Sequence, residues 1–200
     1  MNKGRAFDKF FNQLDFSNGE PACGKLLISE PFLADPNFNH TVILLVRHNE
    51  EGSLGFVLNN PSPFTINEVV DSFPPFGNDV GIGGPVGVNS LFYIHKIGEK
   101  LAGSYSITDG LYWGGDFEIL KEMVRNKEVS PSDILFFVGY SGWEPKQLER
   151  EIKDESWIVT DTTLNEVMKQ SGKTMWADVL KERGKALKIL SNFPADPALN

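Results

Sequence analysis

Apolar residues arrive along this chain in short unbroken runs separated by Gly, Pro and Asn, a pattern that predicts buried strands joined by tight connections. Gly24 to Ser29, Thr41 to Val46 and Ser53 to Leu58 are three such runs. Because they lack polar alternation, both faces of their sheet should be covered. Leu91 to His95 reads as a further strand and the alternating Ser104 to Thr108 as another, with the turn-rich Lys96 to Gly103 closing a hairpin between them. Ile134 to Val138 is the last strongly apolar run.

Helices are marked by caps and by a change of period. Thr65-x-x-Glu68 and Thr163-x-x-Glu166 both fit the box in which a hydroxyl and a carboxylate satisfy each other's backbone donors. Asp116 can cap a helix whose inner face is Phe117, Leu120 and Val124, stopped at Ser130-Pro131. Trp176, Val179 and Leu180 form the stripe of a late helix that Gly184 ends. Strands early and helices late, without βαβ alternation, predict an α+β fold. Phe7, Phe10, Phe11 and Leu14 share one helical face, which makes residues 1–20 an amphipathic arm and 21–200 a single domain. That arm is read as packing on its own domain, the alternative being a partner subunit.

With 200 residues, 40% of them hydrophobic, the chain can bury a sizeable core. A net charge of −8 would repel a phosphate backbone, so nucleic acid is not the expected partner. The densest basic stretch, Lys181-x-Arg183-x-Lys185-x-x-Lys188, reads as a solvated helix end. Cys23 is the only cysteine, so no disulfide can form within the chain. No run reaches the roughly 18 apolar residues a membrane helix needs, and charges interrupt the aromatic N-terminal segment where a signal peptide would be apolar. A reducing cytosol is the expected compartment.

Candidate chemistry centres on Gly139-Tyr140-Ser141-Gly142-Trp143-Glu144-Pro145, read as a glycine-rich turn between a strand and a helix opened by Pro145. Backbone donors there could hold an anion, yet no lysine occupies the phosphate-neutralising place and Glu144 opposes one. Gly139-x-Ser141-Gly142 approaches a nucleophile elbow, but Trp143 stands where the last glycine is needed. Gly81 to Gly87 lacks dinucleotide-fingerprint spacing, and Pro85 removes a donor. His40, His48 and His95 are too dispersed for a metal-ligand set, so neither metal nor cofactor is expected. Arg47-His48 at a strand end is a pair able to meet an anion, with a surface salt bridge as the plainer reading.

Taken in order, Gly24-Lys25-Leu26-Leu27-Ile28-Ser29, Asp35-Pro36-x-Phe38, Thr41-Val42-Ile43-Leu44-Leu45, Gly55-Phe56-Val57-Leu58-Asn59-x-Pro61 and Gly83-Gly84-Pro85-Val86 resemble the AlgH/YqgE family. Leu91-Phe92-x-x-His95, the Gly139 to Glu151 stretch, Trp157 and Pro194-x-Asp196-Pro197 extend the likeness to essentially everything from Gly24 onward. The resemblance implies a compact α+β domain with a bifurcated, partly barrel-like mixed sheet flanked by helices, in a bacterial cytosol. It implies no activity, although some members carry a transcriptional-regulator label. His40 stands where that family usually has arginine, and Glu144 where a small residue is common.

The functional expectation is a non-catalytic protein binding a small anionic ligand or a protein partner, with a regulatory role. Its candidate residues are Arg47, His48, Asn59, Gly83, Gly84, Pro85, Gly139, Ser141, Gly142 and Trp143, carried on turns expected at one end of the sheet. The alternatives are an enzyme acting on a small anionic metabolite through Arg47, His48 and Ser141, and a DNA-linked regulator.

Overall fold

The computed structural model describes residues 19–33, 35–169 and 172–193. The N-terminal stripe of Phe7, Phe10, Phe11 and Leu14 and the Pro194 motif lie outside the described residues.

The first apolar runs become β1 (Leu26–Ser29), β2 (Val42–Asn49) and β3 (Gly52–Val57), an antiparallel set. Their continuous hydrophobicity has a simple cause. Leu26, Ile28, Val42 and Leu44 face one core, whereas Leu27, Ile43 and Leu45 face another, so both sides are covered. β4 (Pro61–Thr65), α1 (Ile66–Val69) and β5 (Asp79–Ile82) follow, and Thr65 and Glu68 form the predicted capping box. β6 (Val86–His95) is longer than its apolar run, because its first half carries exposed residues that only register could reveal.

β7 (Ser104–Thr108) and β8 (Leu111–Gly114) correct the expected hairpin. β8 pairs with both β6 and β7, so the Lys96 to Gly103 stretch does not join paired strands. Asp116 accepts from the Glu118 and Ile119 amides at 2.9 and 3.1 Å and caps α2 (Phe117–Arg125) as predicted.

β9 (Ile134–Trp143) runs straight through the stretch read as a glycine turn, which is a second correction. Pro145 does not open the next helix either, since Lys146 in a left-handed conformation precedes α3 (Gln147–Lys153). β10 (Trp157–Thr160) pairs with β1; four residues flanked by polar ones give little sequence signal. In α4 (Leu164–Met168) Thr163 caps Glu166 N at 3.2 Å, but the Glu166 carboxylate binds Thr162 and Arg183 instead of closing the box. α5 (Met175–Glu182) and α6 (Lys185–Leu190) complete the described chain.

The strand order is β10-β1-β2-β3-β9-β6-β8-β7, with β4 and β5 branching off through a parallel β5 and β9 pairing, and the sheet does not close on itself. β9 is the fork: Phe136 to Val138 pair with β5, and Ser141 to Trp143 pair with β3. Helices α4 to α6 cover one face through Val167, Trp176, Leu180 and Leu190, while α2 covers another through Leu120, Met123 and Val124. α3 seats Leu148 against Trp143 and Trp157 in the third core. The architecture is a single α+β unit.

Candidate functional site

The glycine motifs meet each other at the fork. Gly83 N donates to Val138 O at 2.9 Å, and Gly83 O accepts from Val57 N at 2.9 Å and Ser141 Oγ at 3.2 Å. A Cβ on Gly84 would lie 2.3 Å from the Tyr140 carbonyl, and one on Gly139 would lie 2.5 Å from Gly84 O. Gly139 also takes a positive φ of 68° inside a strand, which glycine adopts at no steric penalty. These residues are therefore where two backbones cross in contact. Pro85 is exposed just beyond the crossing, and Gly142 is exposed opposite Leu54.

Ser141 is fully buried, with its hydroxyl directed at Gly83 O. His48 pairs with Ser53, its Nδ1 2.8 Å from that hydroxyl, and Arg47 beside it is exposed. The Ser141 hydroxyl is thus engaged by Gly83 O and the His48 ring by Ser53, and no hydrogen bond among the described residues links Arg47, His48 and Ser141 to one another.

Trp143 and Trp157 both donate their indole N–H to one oxygen of Glu151, each at 2.8 Å, and Gln147 donates to the other oxygen at 2.8 Å. With Trp143 6% and Trp157 1% exposed, this carboxylate closes the donors of two buried rings. His95, wholly buried, plays a like part. Its Nδ1 accepts from Ile97 N at 3.2 Å, which puts the ring proton on Nε2, facing Gly114 O at 3.0 Å. Burial holds its pKa below the ordinary value, against the Gly114 carbonyl.

Asn59 belongs to a different place. The turn from Pro36 to Thr41, Asn59, Asn60 and Lys173 surround a groove of about 270 Å³. Asn59 builds its wall: Oδ1 accepts from Val42 N at 2.9 Å and Nδ2 donates to His40 O at 2.8 Å. Thr41 is likewise engaged, donating from N to Ser29 Oγ and from Oγ1 to Phe38 O. Asp35 fixes the rim through the Asn37 amides at 2.9 and 3.0 Å.

Three groups there keep hydrogen-bonding capacity. His40 is held at φ 52° with its ring stacked on Trp176 at 3.6 Å and 7°, and its Nε2 has no partner among the described residues. Burial lowers its pKa, opposed by a bond to the Pro31 backbone, so the ring is neutral at pH 7. The Asn60 side chain and the Lys173 ammonium also make no hydrogen bond among the described residues, and no carboxylate among them lines this groove. A smaller recess of about 100 Å³ shares Asn60 and continues over Pro61, Gly81 and Phe137 to Gly172.

Of the sequence candidates, the structure thus joins Gly83, Gly84, Gly139 and Ser141 by packing, sets Asn59 at the groove, and keeps Arg47 and His48 apart from it. Asn60 and Lys173 were missed. Asn60 sits unremarked between two motif residues, and Lys173 comes from a distant turn whose approach only the tertiary fold reveals. Among the described residues no group of three His, Cys, Asp or Glu side chains is placed to hold a metal, and no helix is long and apolar enough to cross a membrane.

The AlgH-like family (DUF179) matches residues 26–188. A UPF0301 protein of Cytophaga hutchinsonii is 42% identical over 178 residues, covering 88% of this chain and 98% of that protein. One from Bacteroides fragilis is 40% identical over 190 residues, covering 94% and 96%. The solution structure of the AlgH protein from Pseudomonas aeruginosa superposes with a TM-score of 0.70 at 29% identity, covering 87% of this chain and 96% of that one. A crystal structure from Corynebacterium diphtheriae, 22% identical, shares the fold with a TM-score of 0.74 over 96% and 100% of the two chains. Motifs, topology and these relatives agree, and the chain belongs to the AlgH-like family.

Proposed function

We propose that this protein is a cytosolic, non-catalytic binding protein with a regulatory role, and that the groove between Pro36, Asn60 and Lys173 holds a small anionic ligand. One observation carries the reading: motif segments supply walls with satisfied hydrogen bonds, while Asn60 and Lys173 line the cavity with capacity left over and His40 borders it with a buried, unpartnered Nε2. Polar groups arranged so that only a ligand completes them are the usual mark of a small-molecule site. Lys173 supplies the positive charge, and the Asn60 amide supplies directional bonds.

The test is a thermal-shift panel of phosphorylated and carboxylated metabolites on the wild-type protein and Lys173→Ala. A ligand bound only by the folded state adds about 2.7 kcal/mol at a hundredfold excess over its Kd. The expected result is a Tm increase with anionic compounds that Lys173→Ala abolishes. A panel without any increase, or one that is equal in the variant, would overturn the reading.

A further inference from the structure

The two recesses that meet at Asn60 differ in character, and we infer that the ligand lies across both, as an anion joined to one compact apolar or planar group. This rests on the groove being a ligand site. The recesses share more than a wall: Gly172 lines the smaller and Lys173 the larger, so one turn borders both, with Asn60 opposite. The larger recess offers amides and an ammonium, which suits a phosphate or carboxylate head.

The smaller recess offers Leu58, Pro61 and the Phe137 ring around a floor without a side chain. That floor is Gly81, where a Cβ would come within 3.1 Å of the Phe137 ring. Phe137 cannot swing aside freely, because it stacks on Phe56 at 5.2 Å and 9°. At about 100 Å³ the slot admits a single small ring or a short branched chain, not a large fused system. Charge then sets the direction of the ligand. Asp79 borders the smaller recess and Lys173 the larger, so an anionic head is driven to the Lys173 end and the uncharged group takes the slot.

The experiment compares inorganic phosphate with phenyl phosphate, and acetate with phenylacetate, by calorimetry and by amide chemical shifts of the full chain. The expected result is at least a tenfold gain in affinity on adding the ring to one of the two heads, with shifts at Gly81, Asn60 and Lys173. Whichever pair shows the gain names the head group. Gly81→Ala should erase the gain while leaving the bare anion's affinity within twofold, and Asp79→Asn should change the ring's advantage by less than threefold. Equal affinity for bare and ring-bearing anions, or a gain whose shifts miss Gly81, overturns the two-recess ligand and leaves the groove as an anion site. Failure of all four probes to bind at millimolar concentration overturns the groove reading as well.

Discussion

At the crossing of Gly83 and Gly84 with Gly139 to Ser141, backbone meets backbone and the groups in contact hydrogen-bond each other; around Asn60, an amide and an ammonium line a cavity without a hydrogen-bond partner among the described residues. Both places lie on sequence motifs, yet they are opposites chemically. One has its hydrogen bonds made within the fold, and the other has groups to spare. The difference teaches that a glycine-dense motif reports a steric necessity, whereas surplus hydrogen-bonding capacity is the ground on which a binding site is proposed.

The sharpest way to break this contrast is to place a methyl group at the crossing. Gly84→Ala puts a Cβ 2.3 Å from the Tyr140 backbone at a φ of 153°, and a loss of about 3 kcal/mol or more is expected in urea denaturation. Gly77→Ala is the control, because its added Cβ meets nothing within 4 Å, and about 1 kcal/mol is expected. Equal losses at both positions would remove the crossing as a packing joint.

Next in size is Glu151→Ala, which removes the acceptor that the indole N–H groups of Trp143 and Trp157 share; about 2–4 kcal/mol of stability should be lost, with altered tryptophan fluorescence. Glu151→Gln keeps an acceptor and should lose less. A fully wild-type Glu151→Ala would show that the clamp contributes nothing.

Acid probes the buried His95 and the half-buried His40. Both His40 and His95 are held by burial below their ordinary value of about 6.5, so the unfolded chain takes up protons that the folded one refuses. Their contribution is complete above about pH 6.5 and is lost as pH falls through that value towards the folded pKa, at no more than about 1.4 kcal/mol per pH unit for each ring. Denaturation curves at pH 7.5 and 5.5 should show the loss, and His95→Gln should lessen it. An unchanged slope in that variant would count against His95.

Smallest of all, Lys173→Ala should change stability by no more than about 0.5 kcal/mol, since the exposed ammonium makes no contact that folding needs. On the proposed function, its effect belongs to binding. A large stability loss there would turn the groove into another packing joint.

Much of this was readable in the chain. Unbroken runs such as Val42 to Val46 foretold a sheet covered on both faces, and Asp116 and Thr65 marked their helix starts by chemistry that acts within four residues. Gly139 to Trp143 misled because glycine, serine and tyrosine have the composition of a turn; what makes them a strand is pairing with β3 and contact with Gly84, both remote in sequence. β4 and β5 went unseen because prolines and glycines weaken any strand pattern. For the site the limit was sharper. Asn59 was visible through its motif, but its role as a wall depends on Val42 and His40 and the groove beside it on Lys173, which no local pattern connects to it.

The fork at β9 also governs how the chain must assemble. On the ribosome, β3, β5 and β6 emerge long before the strand that lies among them, so the nascent chain carries apolar edges that no earlier segment satisfies. Docking of Ile134 to Trp143 is consequently a single late step of high contact order, and until it occurs the glycine crossing cannot exist. In a refolding time course, burial of Trp143 and consolidation of the β3, β5 and β6 amides should appear together, as one event.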